Sequence, residues 1–271
     1  MKHSFVHVLV AFCCALLALT TLTQAQGIHL AYKFKAGDVN RYKETTHDHM
    51  TSEMIPAGGQ DVVNEMYSTQ KVDRVHTDGS AEVIQTIDSV NTLLNGEPFN
   101  NPQVNVLVGL PMRVTVTPTG KLLDVQPMSD SANEEAKQAV HALREQLMAQ
   151  PSYPESEVMM NAPWQDSVSF SQPTQMGAIN TTIRYSTSLT GSDTVSDTDV
   201  KVLERTIDLS GELGQGAGTL KGNGKGNIYF SDVLGKEIMS TMTIEQTLDV
   251  TTAQGPVSMS MKISTRRELL K

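Results

Sequence analysis

Val257-Ser258-Met259-Ser260-Met261-Lys262-Ile263-Ser264 alternates apolar and polar side chains without a break. In an extended chain, successive side chains point to opposite faces. Val257, Met259, Met261 and Ile263 therefore share one face, and the serines and Lys262 share the other. The segment before it repeats the pattern, with Ile238, Met242, Ile244, Leu248 and Val250 opposite Thr241, Thr243, Glu245, Thr247 and Asp249. Ile179, Ile183, Tyr185 and Leu189 alternate in the same way with Asn180, Thr182, Arg184, Ser186 and Ser188. Strands with one apolar and one polar face belong to an antiparallel sheet that covers a core on one side only.

Working outward, the turn residues agree. Thr77-Asp78-Gly79-Ser80, Pro118-Thr119-Gly120, Asp232-Val233-Leu234-Gly235 and Gln254-Gly255-Pro256 each separate two alternating segments. Asp-Gly is a strong hairpin signal. Ser131-Ala132-Asn133-Glu134 reads as a capping box, after which Ala136, Val140, Leu143 and Leu147 recur at helical spacing until Pro151. The expected fold is mainly β (α+β): a large curved antiparallel sheet, half-barrel or barrel, with one packed amphipathic helix at 131–149. The Pro-rich segment 151–178, which holds the only tryptophan, Trp164, reads as a long connection or edge. One helix cannot cover two separate cores, so residues 26–271 are expected to form a single domain.

The 271 residues carry 21 Lys+Arg against 30 Asp+Glu, a formal net charge of −9, with no dense basic patch. That balance lacks the electrostatic footprint of a nucleic-acid binder. Met1-Lys2-His3 is followed by an apolar run from Phe5 to Leu19 and then by Thr23-Gln24-Ala25. A lone cation, a short apolar stretch and small residues ahead of a polar start form the pattern of a secretory signal, here 1–25. The run is too short for the roughly 20 apolar residues of a membrane span. Cys13 and Cys14 both lie inside it, and Phe12 occupies the position that a lipoprotein signal keeps small. Beyond residue 25 the chain has no thiol, hence no disulfide and no thiolate chemistry. The expected location is periplasmic or extracellular, soluble after signal cleavage.

Three stretches carry a resemblance: Tyr32-Lys33-Phe34-Lys35-Ala36-Gly37-Asp38 with Tyr42, Val116-Thr117-Pro118-Thr119-Gly120-Lys121, and Gly224-Lys225-Gly226-Asn227-Ile228-Tyr229-Phe230. Their order resembles a family of exported bacterial β-rich proteins known as a domain of unknown function. Where that family is expected to carry a Gly-Asp-Ser-Trp-like turn, this chain has Ala162-Pro163-Trp164-Gln165-Asp166. The layout is also similar in outline to the half-barrels of periplasmic lipoprotein and lipid carriers. The resemblance implies an exported β protein and brings no catalytic residues with it.

Among candidate chemistries, His47-Asp48-His49-Met50 is the sharpest. On a strand both imidazoles face one way, which suits a Cu(II), Ni(II) or Zn(II) ion, yet no third ligand is identifiable. A polar outer strand face is the plainer reading, so no metal is expected and His47 and His49 are the weak candidates. Met242, Met259 and Met261 in an oxidising envelope can bind Cu(I). Methionine more often fills deformable apolar interiors. Gly211 to Gly226 lacks the Gly-Lys-Ser/Thr of a phosphate loop and reads as a mobile or tightly bending hairpin. Asp193, Asp197 and Asp199 form an acidic turn without the EF-hand spacing. Asn180-Thr181-Thr182 is a glycosylation sequon inside a predicted strand. Glu134 and Glu135 diverge around a helix, and Asp38 follows Gly37 in a turn. No nucleophile elbow or acid/base pair is present, so no enzyme activity and no cofactor are expected.

These readings converge on a non-catalytic exported protein. It is expected to hold a lipid or other apolar small molecule, or an envelope protein, in the concave face of its sheet. The expected lining is Met242, Ile244, Met259, Met261, Leu143 and Leu147. A structural or interaction module with a fully packed core is the alternative. A continuous apolar cavity above roughly 300 Å³ separates the two.

Overall fold

A computed structural model describes residues 27–53, 55, 59–128, 134–174, 177–252 and 255–271. The signal segment 1–25, the cap residues Ser131 to Asn133 and Gln254 lie outside them. The chain runs through β1 (Val39–Ser52), β2 (Gln60–Val75), β3 (Ala81–Leu94), β4 (Glu97–Pro98), α1 (Pro102–Asn105), β5 (Met112–Val116) and β6 (Leu122–Pro127). Helix α2 (Glu134–Met148) follows, then β7 (Trp164–Thr174), β8 (Gly177–Val195), β9 (Thr198–Leu213), β10 (Gly218–Ser231), β11 (Lys236–Thr252) and β12 (Gly255–Leu270).

All twelve strands join one antiparallel sheet in the order β6-β5-β3-β2-β1-β12-β11-β10-β9-β8-β7, with β4 beside β3. Most neighbours in the sheet are consecutive strands joined as hairpins; β3 pairs with β5 past the short β4, and at the centre β1 meets β12 from Arg41 opposite Leu270 to Ser52 opposite Met259. Edges β6 and β7 do not pair, so the sheet is an open, curved one and not a closed barrel. Helix α2 lies between those edges in sequence and touches both in space, bridging them at one end of the curl.

The register fixes which side chains share a face, because directly opposed residues of an antiparallel pair point the same way. One row across the sheet reads Glu44, Arg267, Ser240, Ile228, Leu203 and Leu189. The next reads Thr46, Thr265, Met242, Gly226, Arg205 and Thr187, followed by Asp48, Ile263, Ile244, Gly224, Ile207 and Tyr185. These rows form the concave face. The convex face carries Thr243, Glu245, Lys262, Ser264 and their neighbours, as the alternation predicted.

Three of the four predicted turns fall wholly between strands, whereas Gly255 and Pro256 of the fourth open β12. Gly79, Gly120 and Gly235 have φ of +83°, +83° and +59°, a region that side chains other than glycine's rarely enter. Asp78 Oδ1 accepts the backbone N–H (2.9 Å) and hydroxyl (2.6 Å) of Ser80, closing the β2–β3 turn.

Three expectations take more definite form. The glycine-rich stretch Gly211 to Gly226 is a tightly bending hairpin: a single 3-10 turn, Gly214–Gly216, reverses the chain between β9 and β10, and Gly222, Gly224 and Gly226 stand in mid-strand on the concave face of β10. A Cβ on Gly224 would lie 2.9 Å from the Thr243 carbonyl, and one on Gly226 2.8 Å from Met242 Cα. Their bareness lets the β11 backbone come close at these positions. Segment 151–178 is a connection only as far as Pro163, because Trp164–Thr174 is the edge strand β7. The long helix is also accompanied by the one-turn helix α1.

Candidate functional site: a cavity at the strapped end of the sheet

Residues 27–38 form a strap across one end of the curled sheet. Ile28 and Val158 exchange backbone hydrogen bonds (2.9 and 2.8 Å), Tyr32 N–H donates to the Pro118 carbonyl (2.7 Å), Lys33 N–H to Gly235 (3.0 Å) and Gly37 N–H to Val72 (2.8 Å). The two turn glycines make room for it. A Cβ on Gly120 would sit 2.7 Å from the Tyr32 ring, and one on Gly235 would collide with Lys33. Under the strap, Tyr32 stacks on Phe34 (5.8 Å) and meets Phe230 edge-on (5.7 Å), while Tyr153 meets Phe230 at 5.2 Å. These rings and Leu30, Val158, Leu189, Leu203 and Ile228 close that end as a packed cluster.

Beside this plug the concave face is not filled. A cavity of about 610 Å³ extends between the sheet and helix α2. Met66, Ile87, Val114 and Leu122 wall it from one half of the sheet, Ile207, Ile228, Met242 and Ile244 from the other, and Leu143 and Leu147 from the helix. Four of the six expected lining residues therefore meet here: Met242, Ile244, Leu143 and Leu147. Met259 and Met261 do not line the cavity. They occupy the same face two rows further along β12, beyond Ile263, and continue the apolar track past the cavity. The period-2 reading placed them on the right face. It carried no information on how far along the strand the enclosed space extends.

The cavity also holds a polar constellation that the alternation did not single out. Glu237 Oε1 accepts the hydroxyls of both Tyr32 (2.9 Å) and Tyr153 (2.6 Å). Glu237 precedes Ser240 by an odd number of residues and would face outward on a regular strand. The pairing shift between Tyr229 and Phe230 sets Glu237 opposite Phe230 and turns it inward, which is what a bulge does. Burial raises the phenols of Tyr32 and Tyr153 well above their ordinary value, reinforced by the Glu237 charge.

Arg267 lies over the Tyr42 ring at 4.1 Å and lines the cavity, directly across the strand pair from Glu44. Burial works against its charge, but Tyr42, Glu237 and Glu44 outweigh that and raise its pKa. Arg205, one row further on, donates from Nε to Thr187 Oγ1 (3.1 Å) and stands 5.7 Å from the Tyr185 ring. Arg267 is in phase with Val257 to Ile263, so a charge on the apolar side of β12 was a readable signal. Glu237, displaced by a bulge, had none.

His47 and His49 both lie exposed on the convex face, away from this cavity. His49 Nδ1 is 2.8 Å from Asp61 Oδ1. Among the described residues no group of three His, Cys, Asp or Glu side chains is placed to hold a metal. Asp48, between the two histidines, faces the opposite way, onto the concave side. Its Oδ1 is buried without a hydrogen-bond partner, and burial raises its pKa. Ser196 and Asp197, with φ of +48° and +62°, make the tight β8–β9 turn within the acidic stretch, where Asp197 pairs with Lys271 at 3.2 Å. Asn180 is exposed on the convex face of β8. No helix among the described residues is long and apolar enough to cross a membrane.

No protein-family model and no curated protein matches the chain. Among solved structures it is similar to lipovitellin, in a structure of its lipid–protein interactions, with 15% identity and a TM-score of 0.47; the alignment covers 88% of this chain and 25% of that one. The chain thus spans a quarter of the lipovitellin chain. A Bacteroides fragilis protein with a YmcC-like fold aligns over 89% of this chain and 97% of its own, at 12% identity and a TM-score of 0.28. The hypothetical lipoprotein YmcC of Escherichia coli aligns over 90% of this chain and 92% of its own, at 10% identity and a TM-score of 0.25. At such identities and TM-scores they assign no function.

Proposed function

We propose that this is an exported, non-catalytic protein, one β domain spanning 26–271 after loss of 1–25, that holds a hydrophobic or amphipathic molecule in the cavity between sheet and helix. The observation that supports the reading is the volume. About 610 Å³ of continuous space lies well inside the roughly 300–1,000 Å³ range of small-molecule sites, whereas a packed module would leave only voids near the size of a water. The lining fits as well: leucine, isoleucine and methionine walls over a few convergent polar groups, the usual composition of a ligand pocket. Periplasm and extracellular space are equally compatible with it.

The test is displacement of the neutral apolar fluorophore N-phenyl-1-naphthylamine from the purified protein. Met242→Trp, which fills the space without adding charge, and Leu147→Glu, which puts a carboxylate into the apolar wall, are each expected to weaken probe binding at least ~10-fold. Saturable binding that both folded variants leave unchanged would place the ligand elsewhere and sink the reading.

A further inference from the structure

We infer that the cavity selects an anionic head group, a carboxylate or a phosphate ester on a single long alkyl chain, and that Arg267 is its receptor. The inference rests on the binding role proposed above and adds the class of ligand. Arg267 is a guanidinium with five donors, yet among the described residues it makes no hydrogen bond and no ion pair; its close partner is the face of Tyr42, at 4.1 Å. Glu44 stands directly across the strand pair and Glu237 nearby, but neither comes within ion-pair distance, and Glu237 Oε1 already accepts two tyrosine hydroxyls. Half-buried and facing the cavity, it keeps its donors free for an incoming group, and a guanidinium fork matches carboxylate and phosphate oxygens better than any other side chain. Arg205, the second cation of the cavity, already donates to Thr187 and is the weaker candidate.

The geometry also orients the chain. From Arg267 the same face of β12 continues through Thr265, Ile263 and Met261 to Met259. At about 3.3 Å per residue this track is roughly 26 Å long. A single bilayer leaflet is about 15 Å of hydrocarbon, so one acyl tail fits along the track with its head at Arg267. The aromatic plug blocks the opposite direction, so the tail runs toward the end of the sheet that the strap leaves open. Met259 and Met261 then contact the tail outside the enclosed space.

The experiment is a competition titration on the full mature chain, with N-phenyl-1-naphthylamine as reporter and all amphiphiles below their micelle thresholds. Hexadecanoate, hexadecyl phosphate and neutral hexadecanol are compared. At least one anion is expected to bind ~10-fold or more tightly than the alcohol. Which of them does so tells a free fatty acid from a phospholipid-derived ligand. Arg267→Gln is expected to erase that preference, bringing the anions to the affinity of hexadecanol, and Glu44→Gln to strengthen anion binding several-fold by removing a repulsive neighbour. Equal affinities for anions and alcohol in the unsubstituted protein, or a preference that persists in Arg267→Gln, overturn the inference and leave the binding role standing. Failure of every amphiphile and of the reporter to bind overturns both. Should Arg267→Gln not fold, Glu44→Gln decides, since anion binding that is unchanged or weaker refutes the head-group assignment.

Discussion

Raising the pH should unfold this protein from the strapped end, and the size of the effect follows from two tyrosines. Tyr32 and Tyr153 are buried against Phe230 and donate to the same oxygen of Glu237, so ionising either phenol sets a second negative charge beside that carboxylate in a desolvated pocket. Both phenols are held well above the ordinary value of 10.0, first by burial and then by Glu237. Above pH 10 the unfolded chain releases these protons and the folded chain keeps them, so the folded state binds more protons and stability falls as pH rises. Each phenol contributes a slope of up to about 1.4 kcal/mol per pH unit, and the pair up to about 2.7, beginning near pH 10 and ending at the folded-state values. Against a typical total of about 5–15 kcal/mol, one or two pH units consume much of it. Urea denaturation followed by circular dichroism between pH 8 and 12 measures the slope, and phenolate absorbance of the folded protein measures the titration itself. Tyr32→Phe and Tyr153→Phe separate these phenols from lysines that deprotonate in the same range. Each should cost about 1.5–3 kcal/mol at neutral pH, through its lost hydrogen bond to a charged acceptor, and flatten the alkaline slope by one phenol's share. A stability that stays level from pH 9 to 11.5, or buried phenols that titrate normally in the folded protein, would refute the reasoning.

Two further outcomes test the account of the sheet. Gly226→Ala brings a Cβ against the Thr241 carbonyl and 2.8 Å from Met242 Cα, where only backbone can yield; it should destabilise by about 1–3 kcal/mol, although alanine at an ordinary mid-strand glycine would stabilise by roughly 0.5–1 kcal/mol. A higher thermal midpoint for the variant would show that the close approach of β11 does not require glycine there. Asp48→Val removes a half-buried carboxylate whose Oδ1 lacks a partner between Ile263 and Val62. Because burial raises the folded-state pKa, the native penalty is present at neutral pH and fades as pH falls through that value toward the unfolded one. The unfolding free energy from urea denaturation should therefore rise by about 1 kcal/mol at pH 7 and by less at pH 3, and an equal gain at both would trace the effect to packing alone.

What the sequence made legible divides along one physical line. Alternation is a property of a single strand, and so the two faces, the antiparallel class, the hairpin turns at Gly79, Gly120 and Gly235, and the apolar sense of Met242, Ile244, Met259 and Met261 could all be read residue by residue. The helix was equally local, since Val140, Leu143 and Leu147 mark one stripe and Pro151 ends it. Enclosure is not local. That Met242 and Ile244 border the cavity while Met261 and Met259 lie beyond it depends on where α2 and the strap come to rest over β12, a relation between segments more than a hundred residues apart. The polar floor divides in the same way. Arg267 breaks the apolar phase of its own strand and was visible in principle as a cation on the wrong side. Glu237 was hidden, because only a pairing shift opposite Phe230 turns it inward, and pairing is a property of two strands.

The same distinction separates two kinds of glycine. Gly79 and Gly120 act through their own backbone angles, at φ of +83° each, and their Asp-Gly and Thr-Gly contexts announce it. Gly222, Gly224 and Gly226 act through the atoms of β11 that they allow to come near, and their spacing of two residues is the record of that. Three glycines two apart, in phase with Ile228 and Leu220, put bare backbone on the apolar side of a strand, where a packed core would place branched side chains. A sheet built to fill its interior has no use for that arrangement. A sheet that leaves room on its inner side can use it, and the empty volume is walled by Ile228 of the same strand and by Met242 and Ile244, which stand opposite Gly226 and Gly224.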